Sequence, residues 1–188
     1  MEEIIKNSIG RHKEALRVLE NQADVIKNIA SIFISSLKNK GKIIFCGNGG
    51  SCADAQHLTA ELVGRFKKDR SAFAALALST NTSILTAVAN DYDFKNVFSR
   101  QIEALANSED VLVGISTSGN SENILKAVIE AKRKKIKTIG FLGREIGKLK
   151  NLVDIALCVE IDDTPRIQEI HILAGHIICE IVEEAFTI

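Results

Sequence analysis

A short apolar run that ends in a loop of small polar residues and leads straight into a helix occurs twice in this chain. The first is Lys42-Ile43-Ile44-Phe45-Cys46, followed by Gly47-Asn48-Gly49-Gly50-Ser51 and a helix through Ala53, Gln56, His57 and Glu61. The second is Asp110 to Ile115, followed by Ser116-Thr117-Ser118-Gly119-Asn120-Ser121 and a helix from Glu122 to Lys134. Runs this apolar and this short read as strands buried on both faces. Three further runs, Ala72 to Leu78, Lys137 to Phe141 and Asp154 to Val159, alternate with helical stretches at Thr82 to Ala89 and Phe94 to Ala106. Strands alternating with helices predict an α/β fold: a three-layer α/β/α sandwich around a five-stranded parallel sheet. In the flavodoxin-like order 2-1-3-4-5 the first and third strands are neighbours at the switch point, so the two loops converge on one site.

The loops have a chemistry of their own. Glycines let a ligand approach the backbone, and the free N–H groups of a helix start favour an anion. A helix cap uses one hydroxyl, whereas the second loop carries four. The ligand expected is a phosphate monoester such as a sugar phosphate, since the Gly-Lys-Ser/Thr of a nucleotide P-loop is missing. On the first of the two helices His57 and Glu61 stand four residues apart, about 40° around the axis, so both project from one face. An i, i+4 His–Glu pair on a surface helix is commonly just a solvated pair. Asn90-Asp91-Tyr92-Asp93 reads as a polar break that needs no function.

Length and charge narrow the class. At 188 residues a single domain with a sizeable core is expected. Lys plus Arg and Asp plus Glu both number 24, which gives no electrostatic case for nucleic acid or an anionic membrane as partner. Cys46, Cys52, Cys158 and Cys179 lack zinc-type pairing, and a reducing compartment fits them. Glu2 and Glu3 open the chain where a leader has basic residues, and no apolar run nears the ~18 residues of a membrane span. A cytoplasmic location is the expectation.

The stretch Ile4 to Leu37 has helical spacing, interrupted at Asn21-Gln22, and reads as two helices or one bent helix. Preceding the first strand, residues 1–40 are expected outside the α/β unit of residues 41–188, packing on another subunit. His12 on their apolar stripe reads as a half-buried packing residue. Gly143 to Asn151 reads as a short basic helix or loop, and Pro165 starts a helix running to about Ala185 whose apolar residues cover more than one face. Gln168, Glu169, His171 and His176 are the candidate polar groups inside it, and for any one of them a satisfied internal hydrogen bond is the commoner fate.

With these pieces in place the chain resembles the sugar isomerase (SIS) domain family, and within it the isomerases of seven-carbon sugar phosphates. The resemblance rests on Gly47 to Ser51, Ala53-Asp54-Ala55-Gln56-His57, Glu61 to Arg65, Asn90-Asp91-Tyr92, Gly114 to Ser121, Arg166 to Glu169 and His176. It implies an aldose–ketose isomerase converting D-sedoheptulose 7-phosphate to D-glycero-D-manno-heptose 7-phosphate through an enediol, feeding nucleotide-activated heptose for lipopolysaccharide core or other surface glycans. It further implies substrate contacts from Asn48, Gly49, Gly50, Ser51, Glu61, Asn90, Asp91, Ser116, Thr117, Ser118, Ser121 and Gln168. Glu61 and His176 become the acid/base pair, and His57, Glu61, Gln168 and His176 a site for one zinc per subunit. A homotetramer with active sites at subunit interfaces is implied as well. Cys52 stands where the family has small residues.

Two consequences can be checked. Gln168 and His176 lie eight residues apart, about 12 Å along a regular helix, so one chain brings both to one metal only if the helix starts late or bends near Gly175. The same family includes non-catalytic phosphosugar sensors and a replication regulator that binds an initiator protein. A binding module of that kind needs the phosphate loops but not the acid/base pair.

Overall fold

The computed structural model describes residues 1–143 and 147–187. Two helices, α1 (Glu2–Glu20) and α2 (Ala23–Lys38), precede strand β1 (Ile43–Gly47), helix α3 (Gly50–Val63) and strand β2 (Ala75–Ala77). Then come α4 (Thr82–Asp91), a 3₁₀ turn at Phe94–Asn96, α5 (Ser99–Leu105), β3 (Val111–Ser116), α6 (Glu122–Arg133) and β4 (Lys137–Leu142). A second 3₁₀ turn at Lys148–Asn151, β5 (Ile155–Cys158) and the long α7 (Thr164–Phe186) complete the chain. All strand pairs are parallel, as the alternating pattern predicts, and the order is β2-β1-β3-β4-β5, the flavodoxin-like order expected with the family resemblance.

The sheet sorts its side chains by the two-residue strand period. Ile43, Phe45, Val111, Val113, Ile139 and Phe141 face a core shared with α2, α3 and α7, while Ile44, Cys46 and Leu112 face the layer of α5 and α6. Both layers are apolar, which is why the strands read as continuous runs rather than alternations. Gly114 of β3 brings α6 down onto the sheet: a Cβ there would stand 2.7 Å from Ile124 Cγ2.

Several expectations change in detail. Helix α2 is not outside the α/β unit, because Ile26, Ile29, Ala30 and Phe33 are buried against α7 and the sheet. The second strand, expected over Ala72 to Leu78, is only three residues long. Strand β1 begins at Ile43, whose partner is Ala75, and Phe73 turns off the sheet to pack on Phe186 at 4.8 Å. The polar break comes two residues late: Asn90 and Asp91 are the last residues of α4, and the chain turns at Asp93, whose φ is 145°. Phe94 to Ala106 is not one helix but a 3₁₀ turn and α5. Of the stretch Gly143 to Asn151, residues 144–146 lie outside the described residues.

Candidate functional site

Strands β1 and β3 pair directly, Gly47 opposite Ile115, so the loops that leave their carboxyl ends are side by side. Asn48 in the first loop and Asn123 on α6 exchange side-chain amide hydrogen bonds of 2.9 and 2.8 Å, which ties the loops together. Gly49 has φ +55°, a conformation that suits glycine, and α3 starts at Gly50 without a side-chain cap. In the second loop Ser116 Oγ lies 3.0 Å from Ser121 Oγ and 3.4 Å from Ser118 Oγ. Ser121 makes no side-chain cap to α6. Three of the hydroxyls, Ser116, Ser118 and Ser121, therefore bond one another rather than cap the helix, with Ser118 Oγ also accepting from the Asn120 amide, and the cluster sits where an anion would meet the start of α6. Thr117 and Ser118 line a cavity of about 200 Å³ with Asp163 and Ile167 at the start of α7.

Helices α3 and α7 run side by side, and a glycine sets their spacing. A Cβ on Gly175 would meet the Leu58 side chain at 2.5 Å, so any larger residue would have to displace Leu58 from its buried place between the helices. That approach places His176 beside the His57/Glu61 face of α3. His57 Nε2 is 3.0 Å from Glu61 Oε1 and 3.1 Å from His176 Nε2. One ring nitrogen cannot donate to the carboxylate and accept from a second imidazole at once, so no tautomer of the two neutral rings turns both contacts into hydrogen bonds. A divalent cation would satisfy all three atoms, which lie within 4.8 Å of one another. Two ligand nitrogens at zinc's usual bond length of about 2.05 Å stand roughly 3.3 Å apart in a tetrahedron, close to the spacing found. The donor set fits zinc. Burial holds the His176 imidazole below the ordinary histidine value, His57 pushes the same way and Glu61 opposes both.

Not every residue expected at the site reaches this cluster. Helix α7 runs unbroken from Thr164 to Phe186, so Gln168 and His176 stay two turns apart. The Gln168 amide lies against Gly50 instead, where a Cβ would meet it at 2.4 Å. Within one chain, then, His57, Glu61 and His176 come together, and Gln168 joins the anion loop. Asn90 donates to Asp91 at 2.8 Å, both exposed in the last turn of α4, and among the described residues no hydrogen bond ties either to the loops. His12 is indeed half-buried, with Nδ1 2.6 Å from Glu169 Oε2.

Other polar residues at the site were not singled out by the sequence. Asn123 is one, and Asp54 another: a turn before His57, its Oδ2 is buried without a hydrogen-bond partner, and burial raises the carboxyl to about 6 against the pull of His57. Arg70 and Glu183 form an ion pair of 3.0 Å behind the end of α3, their side chains 5% and 2% exposed.

The chain matches the SIS domain family over residues 11–143. It is 53% identical over 187 residues to a phosphoheptose isomerase of Helicobacter pylori, covering 99% of this chain and 97% of that one. A phosphoheptose isomerase of a Nitratiruptor species is also 53% identical, over 99% of this chain and 100% of that one. Among solved structures, phosphoheptose isomerase GmhA from Neisseria gonorrhoeae superposes with a TM-score of 0.92 at 41% identity, covering 97% of this chain and 98% of that one. A phosphoheptose isomerase from Francisella tularensis gives 0.93 at 37% identity, covering 97% of both.

Proposed function

The chain belongs to the SIS domain family, and from that premise we propose that it works as a phosphoheptose isomerase, converting sedoheptulose 7-phosphate to D-glycero-D-manno-heptose 7-phosphate. The observation that carries the reading is the convergence of His57, Glu61 and His176 beside two loops built for a phosphate. A sensor or initiator-binding relative has use for the loops but none for that convergence.

The phosphate sits at Ser116, Thr117, Ser118 and Ser121 and at the start of α3, with Asn48, Gly49, Gly50, Ser51 and Gln168 around the sugar. From Gly50 to His57 helix α3 rises about 10 Å. That is close to the reach of an extended seven-carbon chain from its phosphate to C1. Glu61 and His176 then stand across C1 and C2, where both can hold or give a proton near neutral pH. One removes the proton from C1 while the carbonyl electrons move to O2; a proton is returned to C2, and the O1 proton passes to O2. Ketose becomes aldose with atoms and charge conserved. Zinc held by His57, Glu61 and His176 would polarise the carbonyl oxygen or stabilise the enediolate. A zinc-bound carboxylate is a poorer base, so the two roles of Glu61 compete.

Asn90 and Asp91, exposed on α4, enter this reading as residues facing a neighbouring subunit's site. Ile4, Ile5 and Ile9 on α1 are 70, 59 and 53% exposed, and a groove of about 430 Å³ between α1, α2 and α7 is lined by Leu16, Ile26 and Leu173. These apolar surfaces support assembly with further copies of the chain, and the family resemblance makes that assembly a homotetramer. The four free cysteines, and the lack of any helix long and apolar enough to cross a membrane among the described residues, support a cytoplasmic enzyme.

The test is a substrate series. Purified protein incubated with sedoheptulose 7-phosphate, fructose 6-phosphate and ribulose 5-phosphate should form aldose from the first at a kcat/KM at least a hundredfold above the others. Equal turnover of all three, or none of any, would count against the reading.

A further inference from the structure

We infer that Phe66, held in place by the Arg70–Glu183 ion pair, is a positioning residue that fixes the His176 imidazole against His57 and Glu61. The inference rests on the proposed isomerase site and adds what holds it in shape. His176 packs against two rings: His57, with centroids 5.0 Å apart, and Phe66, at 5.5 Å and 31° between planes. Phe66 is half-buried and belongs to the irregular segment after α3, which has no strand or helix of its own to keep it still.

The hold comes from α7. Glu183 follows His176 by seven residues, two helical turns, so both project from nearly the same side of that helix. Its Oε1 accepts from the Phe66 amide at 3.1 Å, and its Oε2 from the amides of Lys67 and Lys68 at 2.8 and 2.9 Å. Arg70 completes the clamp. Its Nε donates to Glu183 Oε1 at 3.0 Å, Nη1 donates to the carbonyls of Leu62, Gly64 and Ser71, and Nη2 donates to the carbonyl of Glu61 itself at 2.9 Å. Burial by itself would raise the Glu183 carboxyl, and the three amides with Arg70 hold it below the ordinary value. Closing a loop takes one or two such bonds. Here a buried carboxylate receives three consecutive amides, and its guanidinium partner binds the backbone of one member of the site while the first of those amides carries the ring packed on another. The pair thus references Glu61, through its carbonyl, and His176, through Phe66, to one rigid helix.

Three variants of the full chain test this. Phe66→Leu keeps an apolar side chain but removes the ring, Phe66→Tyr restores the ring, and Glu183→Gln loosens the clamp. Turnover of sedoheptulose 7-phosphate is read together with cobalt(II) affinity, measured by visible absorption and chelator competition. Phe66→Leu is expected to lower kcat and cobalt affinity about tenfold each, the loss usual when an outer group supporting a ligand is removed. KM should stay within about threefold, since the phosphate loops are untouched. Phe66→Tyr should match the parent in both readouts, and Glu183→Gln should follow Phe66→Leu. A folded Phe66→Leu variant with kcat and cobalt affinity both within about twofold of the parent overturns the inference. If Glu183→Gln does not fold, Phe66→Leu decides alone. If the parent turns over no sugar phosphate, the isomerase reading fails by itself, and the cobalt affinities of the same variants decide the positioning role.

Discussion

Glu61 and His57 were legible from spacing alone, because four residues on a helix put two side chains on one face whatever the tertiary fold. His176 entered as a site residue only through the family resemblance, since nothing local marks one histidine in an apolar helix as facing a site 119 positions away. Nothing local marks Asn123 either, whose partner Asn48 is 75 residues distant, or the Arg70–Glu183 pair, separated by 113. A sequence displays neighbours on one element, whereas pairs across elements exist only after packing. The serine loop lies between these cases. Its excess of hydroxyls was visible, but only the structure reveals that Ser121 turns to Ser116 rather than to its own helix. Removing the Ser121 hydroxyl should therefore cost phosphate binding and little helix stability. For Ser121→Ala we expect KM to rise about tenfold, in line with one lost hydrogen bond to a charged group, with kcat and melting temperature near the parent's. Steady-state kinetics beside a thermal melt checks this, and a destabilised variant with unchanged KM would return Ser121 to a capping role.

At the scale of elements the strand–loop–helix units were readable because buried parallel strands are short apolar runs and helix starts carry small polar residues. Boundaries were less so. Ala72 to Leu78 looks uniform in composition, yet only the residues opposite β1 can join the sheet, and that limit is set by another strand. The α3/α7 contact hangs on Gly175, so Gly175→Ala should displace the Leu58 side chain. Overpacking of this kind costs about 1–3 kcal/mol. Combining Gly175→Ala with Leu58→Ala should cost less than the sum of the single changes, because the two side chains contest the same space. Denaturant unfolding of the three variants reads this out, and strict additivity would contradict the contact.

Helix α7 also carries a pH dependence. His171 is fully buried, its Nε2–H donating to the Leu142 carbonyl at 3.0 Å, and burial, partly offset by that bond, pushes its imidazole down to about 4 from an ordinary 6.5. The folded chain thus binds this proton more weakly than the unfolded one. The stabilisation is complete above about pH 6.5 and is lost as pH falls toward 4, amounting to about 3 kcal/mol. In His171→Leu the Leu142 carbonyl keeps its bond from the Val159 amide, so the variant should fold and lose this slope. Unfolding midpoints at about pH 4 to 7 and fixed protein concentration measure it. An unchanged slope in the variant would assign the acid sensitivity elsewhere.

For the whole molecule, the fold class follows from the alternation of elements and the strand order from the family resemblance, while assembly cannot be read from the alternation, because one chain in isolation leaves its apolar surfaces merely exposed. Helix α1 is the clearest of them. With Ile5→Glu and Ile9→Glu together, sedimentation should detect smaller species than the parent forms, and activity should fall with the loss of assembly. A variant that stays active as a monomer would separate the site from the subunit contacts. The central claim, that Glu61 and His176 pass protons between C1 and C2 of a seven-carbon sugar phosphate, is tested most directly by proton NMR of the reaction in deuterated water. The parent should form the aldose with deuterium at C2, and Glu61→Gln and His176→Gln should each lose about a thousandfold in rate while still binding the sugar phosphate. Aldose formed at undiminished rate in either variant would contradict it.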